Sequence, residues 1–160
     1  MDEAKHNEIC QWLQKANHDL LSAERLLRGD PPLLDTTVYH CQQAAEKALK
    51  AYLTFKDIPF EKVHDLTVLV EQCKEIDSTF GQLEDIAETL TPYATAFRYP
   101  GDILEPEPAD TEESLELAGR VLDFVLKRMP EEVKGKIMKP KKKVKLEDSQ
   151  VQNHLQDETE

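Results

Sequence analysis

Glycine, cysteine and aromatic side chains are scarce in this chain, and long hydrophobic runs are missing. Five glycines in 160 residues are too few for the many tight turns of an all-β chain, and favour a few long helices. The three cysteines, Cys10, Cys41 and Cys73, are odd in number, widely spaced and free of any CxxC pair. That pattern argues against a disulfide framework and against a zinc site. It suits reduced, structural thiols in a cytosol. No apolar run approaches the ~20 residues of a membrane span. The opening MDEAKHNE is too polar for a signal peptide. A soluble, cytoplasmic protein without membrane association is expected.

Local signatures of catalysis are also missing. The chain has no HExxH, no GxxxxGK[ST], no GxGxxG and no GxSxG, and no His/Cys/Asp cluster with metal-ligand spacing. No metal, no cofactor and no catalytic residue is predicted.

What the chain has in excess is negative charge. Against 20 Lys and Arg stand 32 Asp and Glu, a formal net charge of −12. Residues 131–160 carry seven Lys and seven acids, so the whole excess lies in residues 1–130, with 13 basic and 25 acidic side chains. Such a body repels long nucleic acid, because phosphate contacts need Lys and Arg on one face. One nucleotide or a short RNA at a local basic site remains compatible with it.

Hydrophobic spacing divides residues 1–130 into helices. Ile9, Trp12, Leu13, Ala16, Leu20, Ala23 and Leu27 form one stripe over about residues 3–28, which ends at Gly29-Asp30-Pro31-Pro32. A second helix, capped by Asp35 or Thr36, reaches about Phe55 and buries Val38, Cys41, Ala45, Ala48, Leu49 and Tyr52. A third starts near His64-Asp65. A fourth runs from about Phe80, is interrupted at Pro92 and resumes through Ala94 and Phe97 to Arg98. A fifth spans about Asp110 to Met129. The expected architecture is all-α: an up-and-down, antiparallel bundle of about five helices over residues 1–130. A charged, flexible tail follows over 131–160. Its run KPKKKVK resembles a nuclear import signal and also suits a disordered tail. The alanine-rich second helix and the wide apolar face of the fifth offer more apolar surface than one copy needs, which predicts a homodimer.

Two clusters carry candidate chemistry. On the second helix Gln43, Glu46, Lys47 and Lys50 share roughly one face and supply both donors and acceptors. The same spacing also suits a solvated face with i,i+4 pairing. Arg98, the only arginine between Arg28 and Arg120, sits at a helix end before Pro100, near Tyr93 and Tyr99. A guanidinium beside aromatic rings suits phosphate gripping and base stacking; it equally suits capping of the last carbonyls. His64 opens a helix, where capping and packing are its ordinary roles.

Three blocks together resemble the HEPN domain family of prokaryotes over about residues 9–129. They are W-x3-A-x2-DL-x2-A-x2-LL from Trp12 to Leu27, HCQQAAEKALKAYL from His40 with HDL at His64–Leu66, and Y-x4-RYP from Tyr93 to Pro100. The resemblance implies a dimerising helical bundle, often acting beside a small nucleotidyltransferase in toxin–antitoxin pairs. Some members are metal-independent ribonucleases that use an arginine and a histidine with four to six residues between them. Here Arg98 is followed at those positions by Ile103, Leu104 and Glu105. Metal-free RNA cleavage needs a proton carrier near pH 7, which histidine supplies; Glu105 would repel the phosphate that Arg98 attracts. The expectation is therefore a non-catalytic module that binds a nucleotide, a short RNA or a nucleotidyltransferase partner. Its candidate residues are Arg98, Tyr99, Tyr93, Gln43, Glu46, Lys47, Lys50 and His64. The alternative is a divergent ribonuclease toxin pairing Arg98 with His64, His40 or Glu105.

Overall fold

The structure is a computed structural model that describes residues 1–101 and 104–137. Helix α1 spans Glu3–Arg28. It is capped by Asp2, whose carboxylate accepts from the Lys5 backbone N–H at 2.8 Å. Helix α2 spans Leu34–Phe55. It returns antiparallel to α1, because Lys5 near the start of α1 pairs with Asp57 just past the end of α2, at 2.7 Å. Asp35 and Thr36 lie inside the first turn of α2, and Leu33 occupies the cap position. Ala44, Ala45, Ala48 and Ala51 are fully buried; their small side chains let neighbouring helices approach α2 from several sides.

The connection after α2 runs back along it. Gln42 donates to the main-chain carbonyl of His64 at 2.8 Å, and α3, Leu66–Ile76, starts there. At the far end of α3 the ring of Phe80 meets that of Tyr52 on α2, 4.5 Å between centroids. Helix α3 is therefore parallel to α2, which breaks strict up-and-down alternation. Asp65 caps α3 through the Thr67 N–H at 2.9 Å. A 3-10 helix, Ser78–Leu83, leads into α4, Glu84–Leu90, which returns to the start of α3, where the Leu66 N–H donates to Thr91 Oγ1.

Helix α5 spans Pro108–Leu126. It begins beside the end of α1, where Arg28 pairs with Glu112 at 2.8 Å. Its apolar face, Ala118, Val121, Leu122, Val125 and Leu126, is buried, and α5 packs on both α2 and α1. The apolar surface expected to cover a second copy is thus largely used within one chain.

Two expectations need correction. The fourth helix does not resume after Pro92 through Ala94 and Phe97 to Arg98. Thr91–Ala94 is a 3-10 helix, and Phe97 takes a left-handed φ of 65°, which an α-helix cannot continue through. The bundle also extends past residue 130. Glu131–Ile137 forms α6, which packs on α1. Val133 has no exposure and Met129 only 3%. One buried valine, too isolated to show as a stripe, holds this turn to the core. The KPKKKVK run, Lys139–Lys145, lies outside the described residues. Among the described residues no helix is long and apolar enough to cross a membrane.

Candidate functional site

The candidate residues separate into two groups around α2. The first surrounds Glu46, which is 4% exposed. Its Oε1 accepts from Lys50 Nζ at 2.7 Å. Its Oε2 accepts from Gln42 at 3.0 Å, from Gln43 at 3.2 Å and from His64 Nδ1 at 2.9 Å. Gln43 also donates to Gln42 Oε1. Burial alone would raise the Glu46 carboxyl, but the bonds from Lys50, His64 and Gln42 outweigh it and hold the group below its usual range. The Lys50 ammonium lies over the rings of Trp12 and Phe60, 5.7 and 5.5 Å from their centroids. Glu46 and Lys50 therefore form a sealed pair instead of a solvated face, with the exposed His64 tied to it from outside.

The second group faces α1 and the segment after α4. Lys47 does not join Gln43 or Glu46; its ammonium donates to Asp19 Oδ2 on α1. The other oxygen of Asp19 accepts from His40 Nδ1 at 2.8 Å. Asp19 is 8% exposed, so this carboxylate is buried between a cation and an imidazole. Across α2 the Arg98 guanidinium lies over the ring of Tyr39, 3.9 Å from its centroid. One of its nitrogens donates to the Ala94 carbonyl at 3.2 Å, so the arginine caps the 3-10 helix and also stacks. The left-handed turn at Phe97 brings the guanidinium back onto α2. Tyr93 is taken up by a stacked contact with Phe97, 6.2 Å between centroids. Tyr99, 62% exposed, lies 5.9 Å from the Arg98 guanidinium.

Asp35, Thr36, Tyr39, His40, Phe97 and Arg98 line an open cleft of ≈ 270 Å³. A larger groove of ≈ 460 Å³ runs over the outer face of α1 beside Trp12 and His18. That groove has no arginine in its lining; the smaller cleft does. Burial pushes the Cys41 and Cys73 thiols up to about 12, so neither supplies a nucleophile at neutral pH. No three His, Cys, Asp or Glu among the described residues are placed to hold a metal ion. No buried polar side-chain atom among them lacks a partner.

Sequence reasoning missed Asp19, Tyr39, Asp35 and Thr36. Asp19 had a signal: it falls between Ala16 and Ala23 at spacings of three and four, a core position of α1 holding a charge. A charge at such a position needs a buried partner. Tyr39, Asp35 and Thr36 had none, because only the turn at Phe97 makes them neighbours of Arg98.

Comparisons with characterised proteins and with solved structures found no significant match. The family model of the HEPN domain matches residues 9–129, from the first buried residue of α1 to the buried Met129 just past α5. The chain belongs to the HEPN domain family.

Proposed function

We propose that this HEPN protein is a binding module without nuclease activity. In this reading it is a cytoplasmic homodimer and one component of a nucleotidyltransferase-linked toxin–antitoxin pair. Its cleft holds a nucleotide, or the active-site edge of the partner nucleotidyltransferase. The observation that carries this is the fixed arginine: Arg98 is held by the Tyr39 ring and the Ala94 carbonyl at the edge of an open cleft. A pre-placed guanidinium loses little freedom when it meets a phosphate or carboxylate. The missing Arg–His spacing supports a role without cleavage. The test is affinity purification of the protein from its native cell, with mass spectrometry of co-purifying protein and nucleotide. Recovery of neither would remove the reading.

A second reading, a divergent metal-independent ribonuclease, is favoured by one observation. His40 shares the cleft with Arg98, and its Nδ1 is bound by a buried carboxylate, the arrangement that orients a general base. RNA cleavage by the purified protein, lost on His40→Ala and absent from a mock preparation, would establish it in place of the first.

A further inference from the structure

We infer that the cleft is built for a terminal phosphate, a phosphate monoester gripped between the Arg98 guanidinium and Nε2 of His40. The inference rests on the nucleotide-binding reading and narrows it: the ligand is a mononucleotide or the phosphorylated end of a short RNA, and not a diester inside a chain. Four observations lead to it.

The aromatic face nearest the arginine is already occupied. The guanidinium covers Tyr39 at 3.9 Å, so that ring does not stack a base, and the arginine is left as a phosphate group. One of its nitrogens donates to the Ala94 carbonyl; a guanidinium carries five N–H donors.

His40 supplies the second prong. Its Nδ1 is held by Asp19, which leaves Nε2 as the ring nitrogen without a protein partner among the described residues. Around it stand Asp19 from α1, Lys47 from its own helix, Asp35 from the first turn of α2 and Arg98 from the segment after α4. A monoester ionises a second time near pH ~6, so it can share that proton with Nε2 while its other oxygens meet the guanidinium. A diester has no second ionisable hydroxyl and cannot share a proton with Nε2.

Asp35 limits what can follow the phosphate. Its carboxylate lines the same cleft and is fixed by the Thr36 N–H at 2.7 Å. A carboxylate in so small a cleft accepts a sugar hydroxyl and opposes any phosphate, so a single phosphate held by both Arg98 and His40 is tolerated better than a chain of them. The cleft volume, ≈ 270 Å³, lies just below the usual range of ligand pockets, which starts at about 300 Å³. Beyond the cleft, the net charge of −12 opposes a longer polyanion.

The test uses the full chain and titrates adenosine, adenosine 5′-monophosphate, adenosine 5′-triphosphate, and a six-nucleotide RNA with either a 5′-phosphate or a 5′-hydroxyl. The monophosphate and the 5′-phosphorylated RNA are expected to bind at least about tenfold more tightly than adenosine and the 5′-hydroxyl RNA, respectively. Whichever of the two phosphorylated probes binds more tightly names the source. Inorganic phosphate should shift the His40 ring signals followed by NMR. His40→Gln and Arg98→Ala should each erase most of the phosphate advantage. The probe comparison on wild type stands even if a variant fails to fold. Equal binding of 5′-hydroxyl and 5′-phosphate RNA, or tighter binding of the triphosphate, would overturn the terminal-phosphate inference and leave nucleotide binding intact. No binding by any probe would overturn both.

Discussion

Glu46 is held by Lys50, His64, Gln42 and Gln43 in a site where it is 4% exposed. A buried charge deprived of its partner is costly, so Glu46→Gln should destabilise the fold by about 3 kcal/mol by leaving Lys50 without a counter-ion. The pH dependence has a definite sign. The folded carboxyl lies below its usual range, so its contribution is complete above the ordinary glutamate value and is lost as pH falls through the folded one. The stability gap between wild type and Glu46→Gln should therefore be widest near neutral pH and close under acid. Denaturant unfolding across that range checks it, and a gap that widens under acid would refute the assignment. Arg98 predicts the opposite pattern. Its side chain is a lid on Tyr39 at the surface, so Arg98→Ala should cost under about 1 kcal/mol of stability. Loss of its charge-assisted bonds should weaken nucleotide or partner binding by about 1–3 kcal/mol. Arg98→Lys keeps the charge but loses the planar stack, and should recover only part of the binding. A melting curve beside a binding titration separates the two effects.

At the scale of the element, α6 tests where the bundle stops. Burying a valine fully is worth about 1.5–3 kcal/mol, and Val133 is fully buried. A chain ended at Pro130 should therefore melt several degrees below the full chain. We expect a chain ended at Ile137 to melt with the full chain, which would place the domain boundary after α6. Thermal melts of the two truncations decide it; equal melting temperatures for both would show that α6 adds nothing. The interruption at Pro92 has a different consequence. A continuous fourth helix would carry Arg98 onward along its own axis. The 3-10 helix and the left-handed Phe97 fold the chain back, and only then does the guanidinium reach α2.

For the whole molecule, the open question is the second copy. Helices α1, α3 and α5 already pack on α2, so a dimer cannot be argued from the alanines of that helix. Another surface is available: Leu33, Tyr99 and Leu104 are 47, 62 and 74% exposed, and Leu33 and Tyr99 are close in sequence to residues that line the cleft. We expect light scattering to give a mass near twice 18.3 kDa and Leu104→Asp to shift it towards one chain. A single-chain mass across micromolar concentrations would remove the homodimer. The charge of −12 makes dimerisation more favourable in salt, because like-charged bodies are screened from one another.

The helices themselves were legible because helix formation is periodic and local. The stripe from Ile9 to Leu27 and the stripe from Val38 to Tyr52 repeat every three or four residues, and both turn inward as that spacing requires, with only Trp12 and Leu20 left partly exposed. Asp65 before Leu66 marked a start, and Pro92 marked an interruption, through interactions spanning a few residues. The three blocks that resemble the HEPN family were likewise present as letters in order. The site was legible only in part. Spacing placed Lys50 beside Glu46, four residues apart, and that pair stands; it also paired Lys47 with Gln43, and that pair does not. Asp19 and His40 are 21 residues apart and Lys47 and Asp19 are 28 apart. No helical period relates them; they meet because α1 and α2 pack antiparallel with a particular rotation about their axes. The same holds for Arg98 over Tyr39, for His64 against Glu46 and for Val133 in the core. Periodicity determines which residues turn inward on their own helix. Which inward and edge residues of different helices then touch is decided by packing, where buried charges must find partners.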